Sequence, residues 1–178
     1  MAPGPRLPLV PLHELPPALA NAVQRGRDTR MLSATVPVQV WAHRPQVALA
    51  WLALLDQIHN HGVLDGRLRE LVRLRIAAFT HCQACQVARK SDAVDAQDLA
   101  ALACHSTDSE RFSAAEREAL RYAERFVAEP HAIEQADFDA LALHLSTPQV
   151  VELQMFCALM LAGGRMTMVQ RAYEEAAA

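Results

Sequence analysis

Wherever this 178-residue chain shows a readable hydrophobic pattern, the repeat is helical. No segment alternates apolar and polar residues over the length of a strand. That property confines the fold to packed helices. The helix boundaries are punctuated clearly. Pro16-Pro17 opens a first helix that runs to about Arg27, and Pro45 opens a second that stops at Gly62, because proline suits a first turn and glycine a C-terminus. In the second, Leu49, Leu52, Leu55 and Ile58 recur at helical spacing. Asp65 is placed as the N-cap of GRLRELVRLRIAAFTH. Ser113-Ala-Ala-Glu116 spells a capping box ahead of a further amphipathic helix. Another helix is predicted from about Gln135 to Leu143. Thr147-Pro148 then starts a long one, with a kink or break at Gly163-Gly164. The prediction is an all-α domain of roughly seven or eight helices.

Seven of the ten prolines fall within residues 1–37. Residues 1–14 are therefore predicted to run as an extended arm, with the helical domain over 15–178. The net charge of −3 leaves no basic excess for a nucleic-acid surface. No apolar run approaches the length of a membrane span, so no membrane role is expected. The Pro-broken start lacks the apolar core of a secretory signal, which points to the cytoplasm. Residues 46–58 and 149–162 are apolar around much of their girth, the pattern of helices covered by another subunit of a homo-oligomer.

Four cysteines are present, and two form Cys82-Gln-Ala-Cys85. A c-type haem site needs His after the second cysteine, where Gln86 stands. A structural zinc site needs two further ligands, and only the adjacent Cys104-His105 offers them, so no metal is expected. A thioredoxin fold needs a βαβ pattern, which is missing here. Two readings stay open: a redox dithiol, and a pair of inert cysteines on an Ala-rich helix. The first has a physical basis. Thiols about one helical turn apart can close a disulfide if the first lies at the helix start, and a helix N-terminus favours thiolate. Cys104 and Cys157 sit among Ala and Leu, as core fillers do.

Neighbouring groups could tune these thiols. Glu70 lies twelve residues before Cys82. If the chain reverses after His81, its carboxylate could face the pair and accept protons. Otherwise it is an exposed acid bridging Arg67 or Arg73. Arg89, four residues after Cys85, would share its helix face and could lower a thiol pKa without accepting a proton. His81, next to Cys82, is a candidate base.

The run from Arg69-Glu70 through Cys82-Gln-Ala-Cys85 resembles the carboxymuconolactone decarboxylase superfamily, and within it the alkylhydroperoxidase D-like branch. Glu70, Cys82 and Cys85 match that branch in type and spacing. The flanking segments VWAHRPQVALAWLALLDQI, SAAEREALRYAERFV and TPQVVELQMFCALMLAGGRM are similar too, so the likeness covers about residues 7–170. The resemblance implies an all-helical fold that oligomerises through helix faces, and no cofactor. It also implies a chemistry: Cys85 attacks a hydroperoxide, Cys82 resolves the sulfenic acid as a disulfide, and Glu70 relays protons. A thiol or dithiol protein would then reduce the pair. The branch's relay histidine falls at Arg89 here. Arg89 could compensate by holding Cys85 as thiolate, or His81 could supply the base. Two alternatives accompany this reading: a decarboxylase-type lyase using Glu70, Arg89 and His81, and a helical scaffold that has lost catalysis.

Overall fold

The computed structural model describes residues 4–81, 85, 86, 88–103 and 109–173; Cys82 and Cys104 lie outside them. Among the described residues there are eight α-helices and no strand: α1 (Pro17–Asp28), α2 (Val36–Trp41), α3 (Pro45–His61), α4 (Gly66–Phe79), α5 (Ala96–Ala103), α6 (Ala114–Ala128), α7 (Gln135–Ala142) and α8 (Thr147–Gln170). The all-α expectation is met. None of these helices is long and apolar enough to cross a membrane.

The chain divides into two compact units. One comprises Met1–Gly62 with Arg165–Ala178, the other Val63–Gly164. In the first, α1 packs on α3 around Leu19, Val23, Val38 and Leu52, all nearly or fully buried. Trp41 and Trp51 meet edge to face at 5.9 Å, a favoured aromatic geometry. The N-terminal segment is tied down along its length. Arg6 donates from its backbone to Gln170 O at 2.8 Å, and Val10 donates to Gln39 O at 3.1 Å. The Gln39 side chain returns a bond to Val10 O at 3.2 Å.

The second unit is organised around α4, which packs mainly on α6 and also on α5. Asp65 caps α4, accepting from the backbone N–H groups of Arg67 at 2.8 Å and Leu68 at 3.2 Å. Such a cap is worth about 1 kcal/mol. Leu68, Leu71, Val72, Leu74 and Ile76 are all buried, and burying each such side chain contributes roughly 1.5–3 kcal/mol. These positions cover more than one face of the helix, so its charged residues are taken inside with them. Glu70, Arg73 and Arg75 are buried as well.

Each buried charge on α4 has a partner. Arg75 Nε donates to Glu124 at 2.5 Å, and its Nη1 donates to Leu102 O at 3.0 Å. Its guanidinium also lies over the Phe79 ring at 5.2 Å. Arg67 donates to Asp98 and to Glu116, the latter at 2.9 Å. Arg111 reaches the same fully buried Asp98 at 3.0 Å. The hydrogen bond from Arg67, above all, holds the Asp98 carboxyl well below the usual carboxylate range despite its burial. This network braces the starts of α4, α5 and α6 against one another.

The ends of α4 bear on the cysteine segment. Thr80 Oγ1 turns back to Ile76 O at 3.0 Å. His81 follows in the left-handed region, with φ 51°, a conformation that ends many helices but favours glycine. The expected break at Gly163-Gly164 is not there: α8 continues to Gln170. Gly164 is retained for closeness instead. A Cβ on it would lie 3.1 Å from Thr80 Oγ1, so its lack of a side chain lets α8 approach the end of α4.

Candidate functional site

The middle of α4 carries a buried ion pair. Glu70 is 2% exposed and Arg73 6%. They stand at i and i+3, so both side chains leave the helix on one side. Arg73 forks onto the carboxylate: Nε donates to Oε2 at 2.7 Å and Nη2 to Oε1 at 2.8 Å. A pair buried this deeply is sustained only if the remaining polar atoms are also satisfied. They are, by the segment that follows the C-x-x-C motif. Arg73 Nη1 donates to Cys85 O at 2.6 Å, and Nη2 also donates to Ala88 O at 2.7 Å. Glu70 Oε1 accepts the backbone N–H of Lys90 at 3.0 Å. Residues 85, 88 and 90 are thus each stitched to α4 by one acid–guanidinium pair.

Cys85 and Gln86 are helical, and Cys85 is disulfide-bonded. The Gln86 side chain donates to Ala77 O on α4 at 3.2 Å, a fourth tie between the two segments. Arg89 does not share a helix face with Cys85, because residues 88 and 89 are not helical. Its exposed guanidinium folds back on the chain, donating to Gln86 O at 2.6 Å and Ala88 O at 2.9 Å. The carbonyls at the end of this turn attract it there. His81 is exposed at the end of α4. Cys82 lies outside the described residues, so the sulfur–sulfur geometry expected of the motif is not described.

The structure therefore brings Glu70 to the Cys85 segment, with Arg73 between the acid and the Cys85 carbonyl. Glu70 takes the i+3 partner open to it from sequence, but in the interior and not at the surface. Two contributors were not identified from sequence as site residues. From spacing alone Arg73 reads as a surface partner of Glu70. The signal that could have placed it inside is the apolar residues at positions 68, 71, 72, 74, 76 and 77, which leave α4 no wholly polar face. Lys90 carries no such signal in the sequence. Its amine is pushed down from 10.5 to about 7, first by burial and then by the Arg73 charge, against a smaller opposing pull from Glu70. An amine so placed can exchange a proton near neutral pH, which neither Arg73 nor Arg89 can do.

Cys157, the free cysteine among the described residues, is fully buried in α8, and burial pushes its thiol up to about 12. It sits in the core, and its thiol is inert by the same physics. Among the described residues no group of three or more His, Cys, Asp or Glu side chains is arranged to hold a metal ion.

The helices of the described residues form an all-α fold of the kind seen in alkylhydroperoxidase D-like structures. Residues 45–125 match the Carboxymuconolactone decarboxylase family. Its fold is similar to the crystal structure of an uncharacterized peroxidase-related protein from Ralstonia eutropha JMP134 with an alkylhydroperoxidase AhpD core. That match has a TM-score of 0.76 at 20% identity, over 98% of this chain and 94% of the other. It is also similar to the debrominase Bmp8 in its apo form, with a TM-score of 0.70 at 19% identity, over 88% and 89% of the two chains. A protein of unknown function from Agrobacterium tumefaciens gives a TM-score of 0.63 at 20% identity, over 75% and 93%. No curated protein matches the sequence significantly.

Proposed function

We propose that this protein is a thiol-dependent peroxidase of the alkylhydroperoxidase D-like kind, a disulfide oxidoreductase whose working pair is Cys82 and Cys85. The observation that carries the reading is the buried Glu70–Arg73 pair gripping the carbonyl of Cys85. A charged pair in the interior is costly to build, and here it is spent on fixing the backbone of one cysteine. The disulfide at Cys85 supports a cysteine that cycles between oxidation states. Likeness to a peroxidase-related protein adds to this.

In this reading the Cys85 thiolate attacks the outer oxygen of a hydroperoxide. The O–O bond breaks, the alkoxide or hydroxide leaves and is protonated, and Cys85 becomes a sulfenic acid. The Cys82 thiol then attacks the Cys85 sulfur, water departs, and a disulfide forms. A dithiol donor, protein or small molecule, returns both cysteines to thiols by exchange. Arg73 holds the Cys85 segment, and Glu70 orients Arg73. Among the described residues Glu70 Oε2 takes one donor where Oε1 takes two, so Oε2 is the side from which the acid would relay a proton. His81 and Arg89 flank the motif, His81 as a secondary base and Arg89 as a cation. We place the activity in the cytoplasm and in a homo-oligomer.

The test is a thiol titration of fully reduced protein before and after hydrogen peroxide or an organic hydroperoxide, with the modified residues located by peptide mapping. Loss of the Cys82 and Cys85 thiols together, with Cys157 spared, is the expected result. If both stay reduced while an added bystander thiol is oxidised, the reading is wrong and a non-catalytic scaffold replaces it.

A further inference from the structure

The Glu70–Arg73 pair holds main chain at residues 85, 88 and 90 while the sulfur of Cys85 is in a disulfide. Two constraints therefore bear on one residue. Arg73 fixes the Cys85 carbonyl, and the disulfide fixes the Cys85 sulfur a few covalent bonds away. Constraints this close are not energetically independent, because each restricts conformations that the other also has to restrict.

We propose that the Glu70–Arg73 pair is a positioning clamp that biases the Cys85 dithiol/disulfide equilibrium towards the disulfide. The inference rests on the Cys82–Cys85 pairing of the reading above. It goes further because it concerns how firmly the disulfide is held, not the attack on a hydroperoxide. The direction follows from the clamp being closed in the disulfide form. If it also holds the reduced segment, it maintains the backbone conformation in which the sulfurs meet and raises their effective concentration. If it opens on reduction, its bonds are regained only with the disulfide and stabilise that form. Either way, loss of the clamp lowers the disulfide's share. By linkage, the disulfide must tighten the clamp by the same factor. Arginine suits the task. Its guanidinium takes the carboxylate with Nε and Nη2 and the two carbonyls with Nη1 and Nη2, a spread that the point charge of a lysine does not offer. Burial of the pair leaves little water to replace a bond that breaks.

The equilibrium is thiol–disulfide exchange. Two glutathione molecules give up two protons and two electrons, and the sulfur–sulfur bond breaks. Cys82 and Cys85 become thiols, and glutathione disulfide forms.

The experiment equilibrates three proteins with glutathione at graded ratios of thiol to disulfide: wild type, the double variant Glu70→Gln with Arg73→Met, and Asp98→Asn. Each is checked for native helicity by circular dichroism. Samples are quenched with N-ethylmaleimide, and peptide mapping reads the oxidised fraction of Cys85 and its partner. The double variant loses both carbonyl bonds and leaves no charge unpaired. Its equilibrium constant for reduction should rise about tenfold, since ordering the backbone of one residue is a factor of about that size. Asp98→Asn weakens a buried network anchored instead on Arg67, Arg111 and the Asp95 backbone. It should leave the constant unchanged, which separates positioning from general loss of stability. A double variant with the wild-type constant overturns the clamp, as does an Asp98→Asn that shifts the constant equally.

A second measurement needs no substitution. The Lys90 backbone N–H donates to Glu70, so it exchanges with solvent hydrogen when that bond opens. In wild type its exchange should be about tenfold slower in the disulfide form than in the reduced form, by the same reciprocity. Equal exchange in the two forms overturns the proposal. Cys85 found joined to a cysteine other than Cys82 would overturn both the clamp's role and the reading above. Indifference to hydroperoxides in the thiol titration would remove the peroxidase and leave the clamp standing.

Discussion

An ammonium kept from water beside Arg73 costs the folded state free energy, and that cost must vary with pH in a calculable way. The Lys90 amine stands at about 7 in the folded protein against 10.5 when unperturbed. Below about pH 7 the folded and unfolded chains both carry the charge, and the penalty is fully present. Between about 7 and 10.5 the unfolded chain binds a proton that the folded one does not, so unfolding free energy rises with pH by at most about 1.4 kcal/mol per pH unit. Above that window the penalty is gone. The full interval sets a ceiling of about 5 kcal/mol, and the water that still reaches this half-buried side chain brings the working figure to about 2 kcal/mol. Lys90→Met keeps the length of the side chain and removes the amine. It should therefore be more stable than wild type by about 2 kcal/mol near pH 6, with the advantage shrinking steadily towards pH 10. Urea unfolding of both proteins at about pH 6, 7, 8 and 9, at one protein concentration and in one redox state, measures the gap directly. Contributions from every other titrating group cancel in the difference. A gap that stays constant across that range would refute the reasoning, because it would mean that folding does not move the Lys90 proton.

Three further outcomes are expected. Glu70→Gln and Arg73→Met should each destabilise by about 3 kcal/mol or more, since either leaves a buried charged partner uncompensated, and the double variant should cost much less than the sum; strictly additive midpoints would show that the pair is not coupled. Asp98→Asn should weaken the fold by a similar few kcal/mol. Because the Asp98 carboxyl is held low in the fold, its contribution is present above the unfolded carboxyl range and is lost as the pH falls below about 4; wild type should thus show a steeper acid-induced loss of stability than the variant. His81→Gly should raise stability by about 0.5–1 kcal/mol in chemical denaturation, because φ 51° suits glycine better; a loss would mean that the imidazole makes a contact worth more than the backbone relief.

Most of the helical framework was legible because its boundaries are local chemistry. Pro17, Pro45, Asp65 and the Ser113–Glu116 box each act within one turn of the residue that carries them, and the helices begin where those residues lie. Two helices were not named. The six residues of α2, VPVQVW, are half β-branched valine and too few to show a period. The start of α5 did have a signal: Asp95 caps it, accepting from Gln97 and Asp98 N–H at 2.8 Å each, but the stretch around Asp95 reads as a turn. The two glycines in α8 read as a break because they weaken a helix by about 1 kcal/mol apiece; contact with Thr80, eighty-four residues away in sequence, is invisible to a local reading. The candidate site divides the same way. Spacing linked Glu70 to the cysteine pair. Nothing in the spacing could reveal Lys90, whose proton affinity is set by what folds over it.

The stitch between α4 and residues 85–90 has an electrical consequence. Carboxylate and guanidinium of the pair cancel, and Arg89 adds a fixed positive charge on the neighbouring carbonyls, so the part of the field around Cys85's backbone that varies is left to one amine. As that amine gains or loses its proton the cluster, Arg89 included, alternates between singly and doubly positive. A modest acidification would make the ground beneath the cysteine more welcoming to anions, and a modest rise in pH would withdraw the invitation.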